Sequence, residues 1–197
     1  MEIKKRQFEI INAAGEILTT SGVGGLTIKK LAEKMGFAES ALYRHFKNKE
    51  DIILTMLDYL AETVEEKSAN SLNENDPPDV QLQALFNTQF IFFKKNPHLV
   101  VAILSDGLLA ENAVIDEAVL RIMNVMRSNI VQIVKRGQQQ HIFTKNIAPD
   151  DMVHIIMGSL RLFLLQWRLS DFSFDIKTRG NKLLSAVITL IKVQHEK

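Results

Sequence analysis

The chain has no cysteine. That excludes a disulfide, a thiolate nucleophile and a cysteine-held metal. Proline is scarce, with four in 197 residues, so breaks in a helical pattern are few and each marks a boundary. No uninterrupted apolar run reaches the ~18–20 residues of a membrane span. The opening MEIKKRQFEI has no apolar stretch behind its basic residues, so no signal peptide is expected. A cytoplasmic location is the expectation. The five histidines (His45, His98, His141, His154, His195) fall at no zinc-site spacing, and HExxH, GxSxG and phosphate-loop patterns are missing. No enzyme, metal or cofactor is expected.

Apolar residues make up 46% of the chain, enough for a real core. Net charge is only +1, but it is unevenly spread. Residues 1–49 hold nine Lys/Arg against five Asp/Glu, a surplus of four; the other 148 hold 15 against 18, a deficit of three. A basic head on a mildly acidic body suits a protein that touches a polyanion at one end.

The periodicity is helical nearly throughout. Phe8, Ile11, Ala14 and Leu18 line a first helix, which the glycines of TSGVGG (20–25) should stop. Thr27 is a good N-cap for a short helix ending near Met35, and Gly36 supplies a turn. A third helix is expected from about Glu39 to His45, and Asn48 or its neighbour should open a long fourth one. SLNENDPPDV (71–80) is a loop. Further helices are expected at about 79–95, from Pro97 to Leu108, at 114–140, from Pro149 to about 170, and at 176–194, with a joint at Glu111–Asn112. The fold class is all-α with about nine helices and no strand. The three short helices form a domain over 1–48, and a larger bundle forms a second over 49–197.

Within 27–46 the side chains divide in a way that suggests a helix-turn-helix. Leu31 and Ala32 would pack the second helix. Leu42 and Phe46, four apart on one face, would anchor the third inward. Glu39, Ser40, Tyr43 and Arg44 are left facing out, as a recognition helix in the major groove requires.

These residues carry a resemblance. Gly22, Thr27, Ile28, Leu31, Ala32, Gly36, Phe37, Leu42, Tyr43, His45, Phe46, Asn48, Lys49, Glu50 and Ile52 stand at the spacings of the N-terminal domain of TetR-family bacterial transcriptional regulators, over about residues 7–55. One position departs: the family usually has Ser or Thr where this chain has Ala38, a poor cap. Glu39 or Ser40 should take over that work, or the helix start shifts. The resemblance implies a homodimeric repressor that leaves a palindromic double-stranded DNA operator when a small molecule binds the C-terminal domain. By role, Tyr43, His45, Lys49 and Thr27 would meet phosphates. Glu39, Ser40 and Arg44 would meet base edges, and Ala38 and Ala41 a thymine methyl. Lys4, Lys5 and Arg6 either reach an adjacent groove or form a solvated terminus.

Residues 152–167 are apolar at eleven of sixteen positions and on all sides, so this helix should be buried on all sides. A core on one side and a partner subunit on the other would achieve that. The last helix is similarly broad. Ile156, Leu160, Phe163, Leu164, Leu184, Val187, Ile188 and Ile191 are the expected dimer seam. Phe86, Phe90, Phe93, Leu104, Met123, Met126 and Trp167, with Gln89 and Arg161 as polar members, would line a largely apolar effector pocket. They suit an ordinary core as well. The competing reading is a DNA-binding protein of the same fold with no small-molecule control.

Overall fold

The computed structural model describes residues 5–104 and 113–193. Among them the chain is helical, with one isolated bridge, Phe143 to Lys192, and no strand. The helices are α1 Lys5–Gly25, α2 Ile28–Met35, α3 Glu39–Tyr43, α4 Lys49–Ser71, α5 Pro78–Lys95, α6 Pro97–Leu104, α7 Ala113–Gln139, α8 Pro149–Leu169 and α9 Ile176–Ile191. No helix among the described residues is long and apolar enough to cross a membrane. The expected joint at Glu111–Asn112 and the end of α6 toward Leu108 lie outside the described residues, as does Lys4.

The chain divides into two compact units. The first holds the described residues up to Thr63, with those from Asn96 to Ile122; the second holds Val64–Lys95 and those from Met123 onward. The division falls inside α4 and α7.

In the first unit, Ile10, Ile11, Ala14 and Leu18 form the buried face of α1. Leu31, Ala32, Leu42, Phe46, Ile52, Ile53, Met56 and Leu57 are buried with them. The glycine-rich stop is real but displaced. Gly22 leaves helical geometry at φ 64, and one more turn carries α1 to Gly25. Such φ values suit glycine, which has no Cβ to clash.

In the second unit, α5 packs on α9 at close range. A Cβ at Gly180 would lie 2.7 Å from the Phe90 ring, so only glycine admits that ring. Phe90 also meets Phe163 of α8 edge-on at 5.9 Å. Polar contacts at the same seam are Asn181 Nδ2 to Asn87 Oδ1 at 2.9 Å and Gln83 Nε2 to Ser185 Oγ at 2.8 Å. The buried rings dominate the energetics. Each is worth about 1.5–3 kcal/mol, against about 0–1 kcal/mol for an exposed ion pair such as Lys94–Asp175.

Candidate nucleic-acid interface

The interface is built by local caps. Thr27 is extended (φ −132, ψ 153), and its Oγ1 accepts from Lys30 N at 3.1 Å, closing the head of α2. At the other end Gly36 is left-handed (φ 68, ψ 32). Phe37 N donates to Ala32 O at 2.9 Å and Gly36 N to Glu33 O at 3.2 Å, the paired bonds of a Schellman turn. That turn sets the angle between α2 and α3.

α3 spans five residues, shorter than the expected Glu39–His45. Ala38 is its N-cap and offers no side-chain bond. Neither the Glu39 nor the Ser40 side chain takes over that role. The weak cap matches the short helix. Arg44 keeps helical angles (φ −72, ψ −20), while His45 N and Phe46 N both return to Leu42 O, at 2.9 and 3.0 Å. Leu42 and Phe46 are buried, whereas Ala38, Glu39, Ser40, Tyr43, Arg44 and His45 are exposed, and Ala41 and Lys49 are half-buried. The inward and outward faces are those the spacing predicted.

The next helix opens behind Asn48, as expected, and is fixed by a reciprocal cap whose Asp51 half the spacing did not reveal. Asn48 Oδ1 accepts from Asp51 N at 2.8 Å, and Asp51 Oδ2 accepts from Lys47 N at 2.9 Å. An Asn three positions before an Asp is the signal that would have found it. This pins the backbone on which Lys47 and Lys49 sit.

Of the basic N-terminus, Lys5 is exposed. Arg6 is engaged within the chain. It pairs with Glu9 at 2.7 Å, and its guanidinium lies 4.9 Å from the centroid of the Phe37 ring. Lys34 of α2 pairs with Glu16 of α1 at 2.6 Å, bracing the two helices.

The second unit places the remaining candidates. Ile156, Leu160, Phe163, Leu184, Val187, Ile188 and Ile191 are all buried against the chain's own helices, and Leu164 is half-buried. These residues belong to the core of the chain itself. The outward apolar residues are Ile155, Leu162 (57% exposed) and Leu169 (72%) on α8, with Leu190 on α9. The first three stand seven apart, a spacing that marks one helix stripe.

Phe86, Gln89, Phe90, Phe93 and Trp167 are buried in this unit. Met126 is half-buried, and Met123 and Arg161 are exposed. Leu104 is buried but belongs to the first unit. Trp167 is structurally committed, with Nε1 donating to Phe174 O at 3.0 Å and its ring edge-on to Phe172 at 4.8 Å.

A short exposed helix, held by two buried anchors behind a left-handed glycine turn, defines a DNA-binding helix-turn-helix. Sequence comparison agrees. The pattern of bacterial regulatory proteins, tetR family, matches residues 10–56, and that of the YsiA-like protein C-terminal region matches 57–190. The chain belongs to the TetR family of bacterial transcriptional regulators.

Among its relatives is the nucleoid occlusion factor SlmA of Marinobacter nauticus, 27% identical over 175 residues, covering 85% of this chain and 90% of that protein. A Clostridium perfringens putative fatty acid metabolism regulator superposes with a TM-score of 0.75 at 25% identity, covering 94% and 99% of the two chains. The regulator FadR of Bacillus subtilis, solved with stearoyl-CoA, gives 0.78 at 22% identity, covering 95% and 100%.

Proposed function

We propose that the chain is a homodimeric repressor that holds a palindromic operator and is released by a largely apolar small-molecule effector. Residues 1–48 would hold the DNA and 49–197 would carry effector binding and dimerisation. The observation that carries the DNA half is the split of α3 and its exit turn, with Leu42 and Phe46 buried and Glu39, Ser40, Tyr43, Arg44 and His45 in solvent. Glu39, Ser40 and Arg44 are the candidates for base edges, with Ala38 and Ala41 beside them for a methyl group. Thr27, Tyr43, His45 and Lys49 are the candidates for phosphates.

The operator reading requires a dimer, because two recognition helices must enter grooves ~34–36 Å apart. The outward stripe Ile155, Leu162 and Leu169, with Leu190, is the surface a second subunit would cover. For the effector, the phenylalanines of α5 suit an acyl chain, and the FadR structure with stearoyl-CoA is a regulator of this fold that takes one.

A second reading is favoured by the SlmA relatives, whose likeness runs most of the chain's length. In that reading the protein binds DNA in a structural or partner-driven role, with no small-molecule control. One experiment separates the two. Duplexes are selected from random DNA, and stearoyl-CoA is then titrated into the complex. Release supports the effector reading; unchanged DNA affinity with every apolar ligand tried, alcohols and amides included, favours the partner-driven one. Failure to select any duplex at low salt would sink both.

A further inference from the structure

The second unit buries a polar pair in aromatic surroundings. Gln89 of α5 is 3% exposed and Ser68 of α4 is 1% exposed. Gln89 Nε2 donates to Ser68 Oγ at a long 3.4 Å, and Gln89 Oε1 has no hydrogen-bond partner among the described residues. Phe86, Phe90 and Phe93, the first and last sharing Gln89's side of α5 by spacing, are buried too. A buried carbonyl without a donor forfeits its hydration and regains nothing. Leucine would fill a similar volume with no such cost. The glutamine is therefore costly where it stands, and a donor arriving from outside would offset that cost.

We propose that Gln89 Oε1 accepts a hydrogen bond from the effector, and that the effector is an apolar chain ending in an uncharged donor, a hydroxyl or an amide N–H. This rests on the ligand-responsive reading above. An ionised carboxylate offers only acceptors, so it meets Oε1 with lone pairs against lone pairs. An ester has no donor either. The phenylalanines receive the chain, and the amide selects the head group. A site built to satisfy one polar group rejects analogues that leave that group unpaired.

The test uses three probes of equal chain length, decan-1-ol, methyl decanoate and decanoate, at neutral pH. Binding is followed through the fluorescence of Trp167, the chain's one tryptophan. The alcohol is expected to bind the natural protein roughly tenfold tighter than the ester, a ratio equal to about 1.4 kcal/mol. Gln89→Leu should erase that preference while raising the Tm of the unliganded protein. Gln89→Met serves as the second variant if leucine does not fold.

Equal binding of alcohol and ester by the natural protein overturns the inference and leaves the effector reading intact. A variant that keeps the preference also overturns it, as does one whose Tm falls, because Gln89 would then be structural. If Tm rises with every affinity unchanged, the amide serves a bound water only. If no probe binds and none releases DNA, the effector reading fails and this inference fails with it.

Discussion

His98 of α6 sits directly on Gly15 of α1. A Cβ at position 15 would fall 2.5 Å from both Cδ2 and Cγ of the imidazole and 3.0 Å from its Cβ. Non-bonded carbons prefer about 3.5–4.0 Å, so nothing larger than glycine fits without moving α6 or the ring. Gly15→Ala is expected to cost about 1–3 kcal/mol of stability through overpacking. Adding His98→Ala should recover most of that loss. Urea unfolding of the two single variants and the double variant measures the coupling. Strict additivity would remove this contact as the cause.

The same histidine gives a pH dependence. Burial holds its pKa below the usual 6.5, and Glu16 pulls partly the other way. Unfolding returns His98 to an ordinary imidazole. Below 6.5 the unfolded chain therefore binds more protons than the folded one. Stability falls as pH drops from 6.5 toward the lower folded value and is unaffected by this group above it. The urea midpoint of the natural protein should decline through that window, and His98→Asn should flatten the decline.

Thr27 has two roles that substitution can separate. Its oxygen already accepts from Lys30 N, which leaves the hydroxyl hydrogen for a phosphate. Thr27→Val should lose both roles, with about 1 kcal/mol of stability from the missing cap. Thr27→Asp keeps the cap and suits the helix dipole, yet repels phosphate. It should unfold like the natural protein and bind DNA weakly. DNA affinity equal to wild type in Thr27→Asp would rule out a phosphate contact here.

Arg44 and Lys49 should fail differently. Lys49→Ala is expected to weaken binding to all duplexes and to reduce the salt slope by about one unit. Arg44→Ala should blur discrimination at particular base pairs, by about 1–3 kcal/mol at each. Competition binding on a selected site and its single-base variants distinguishes them. A uniform loss in both would contradict the division into positioning and reading.

For the proposed dimer, Leu162→Glu places a charge at the centre of the outward α8 stripe. It should yield a folded monomer with little operator affinity. Ile188→Glu should instead unfold the second unit, because Ile188 lies in the core of the chain itself. Light scattering and circular dichroism together tell these apart. A Leu162→Glu protein that remains dimeric would show that the stripe is not the seam.

The DNA-binding head was legible in the sequence because its determinants are local. Thr27 with Lys30, Gly36 with Glu33, and Asn48 with Asp51 each close within three residues. Short-range hydrogen bonds and backbone sterics therefore decide α2, its turn and the head of α4 independently of packing. The inward placing of Leu42 and Phe46 followed from helical spacing alone. The length of α3 was overestimated because periodicity counts Arg44 and His45 without showing where the helical bonding ends.

What only the tertiary structure decided is which side of an evenly apolar helix is core. The composition of α8 indicated burial and offered no direction, since a helix apolar on every face has no preferred side. Within the chain itself Ile156, Leu160 and Phe163 face the core, and Ile155, Leu162 and Leu169 face outward. Contacts such as His98 on Gly15 and Phe90 on Gly180 were equally hidden. They join distant parts of the chain through shape, and shape complementarity exists only once the helices have met.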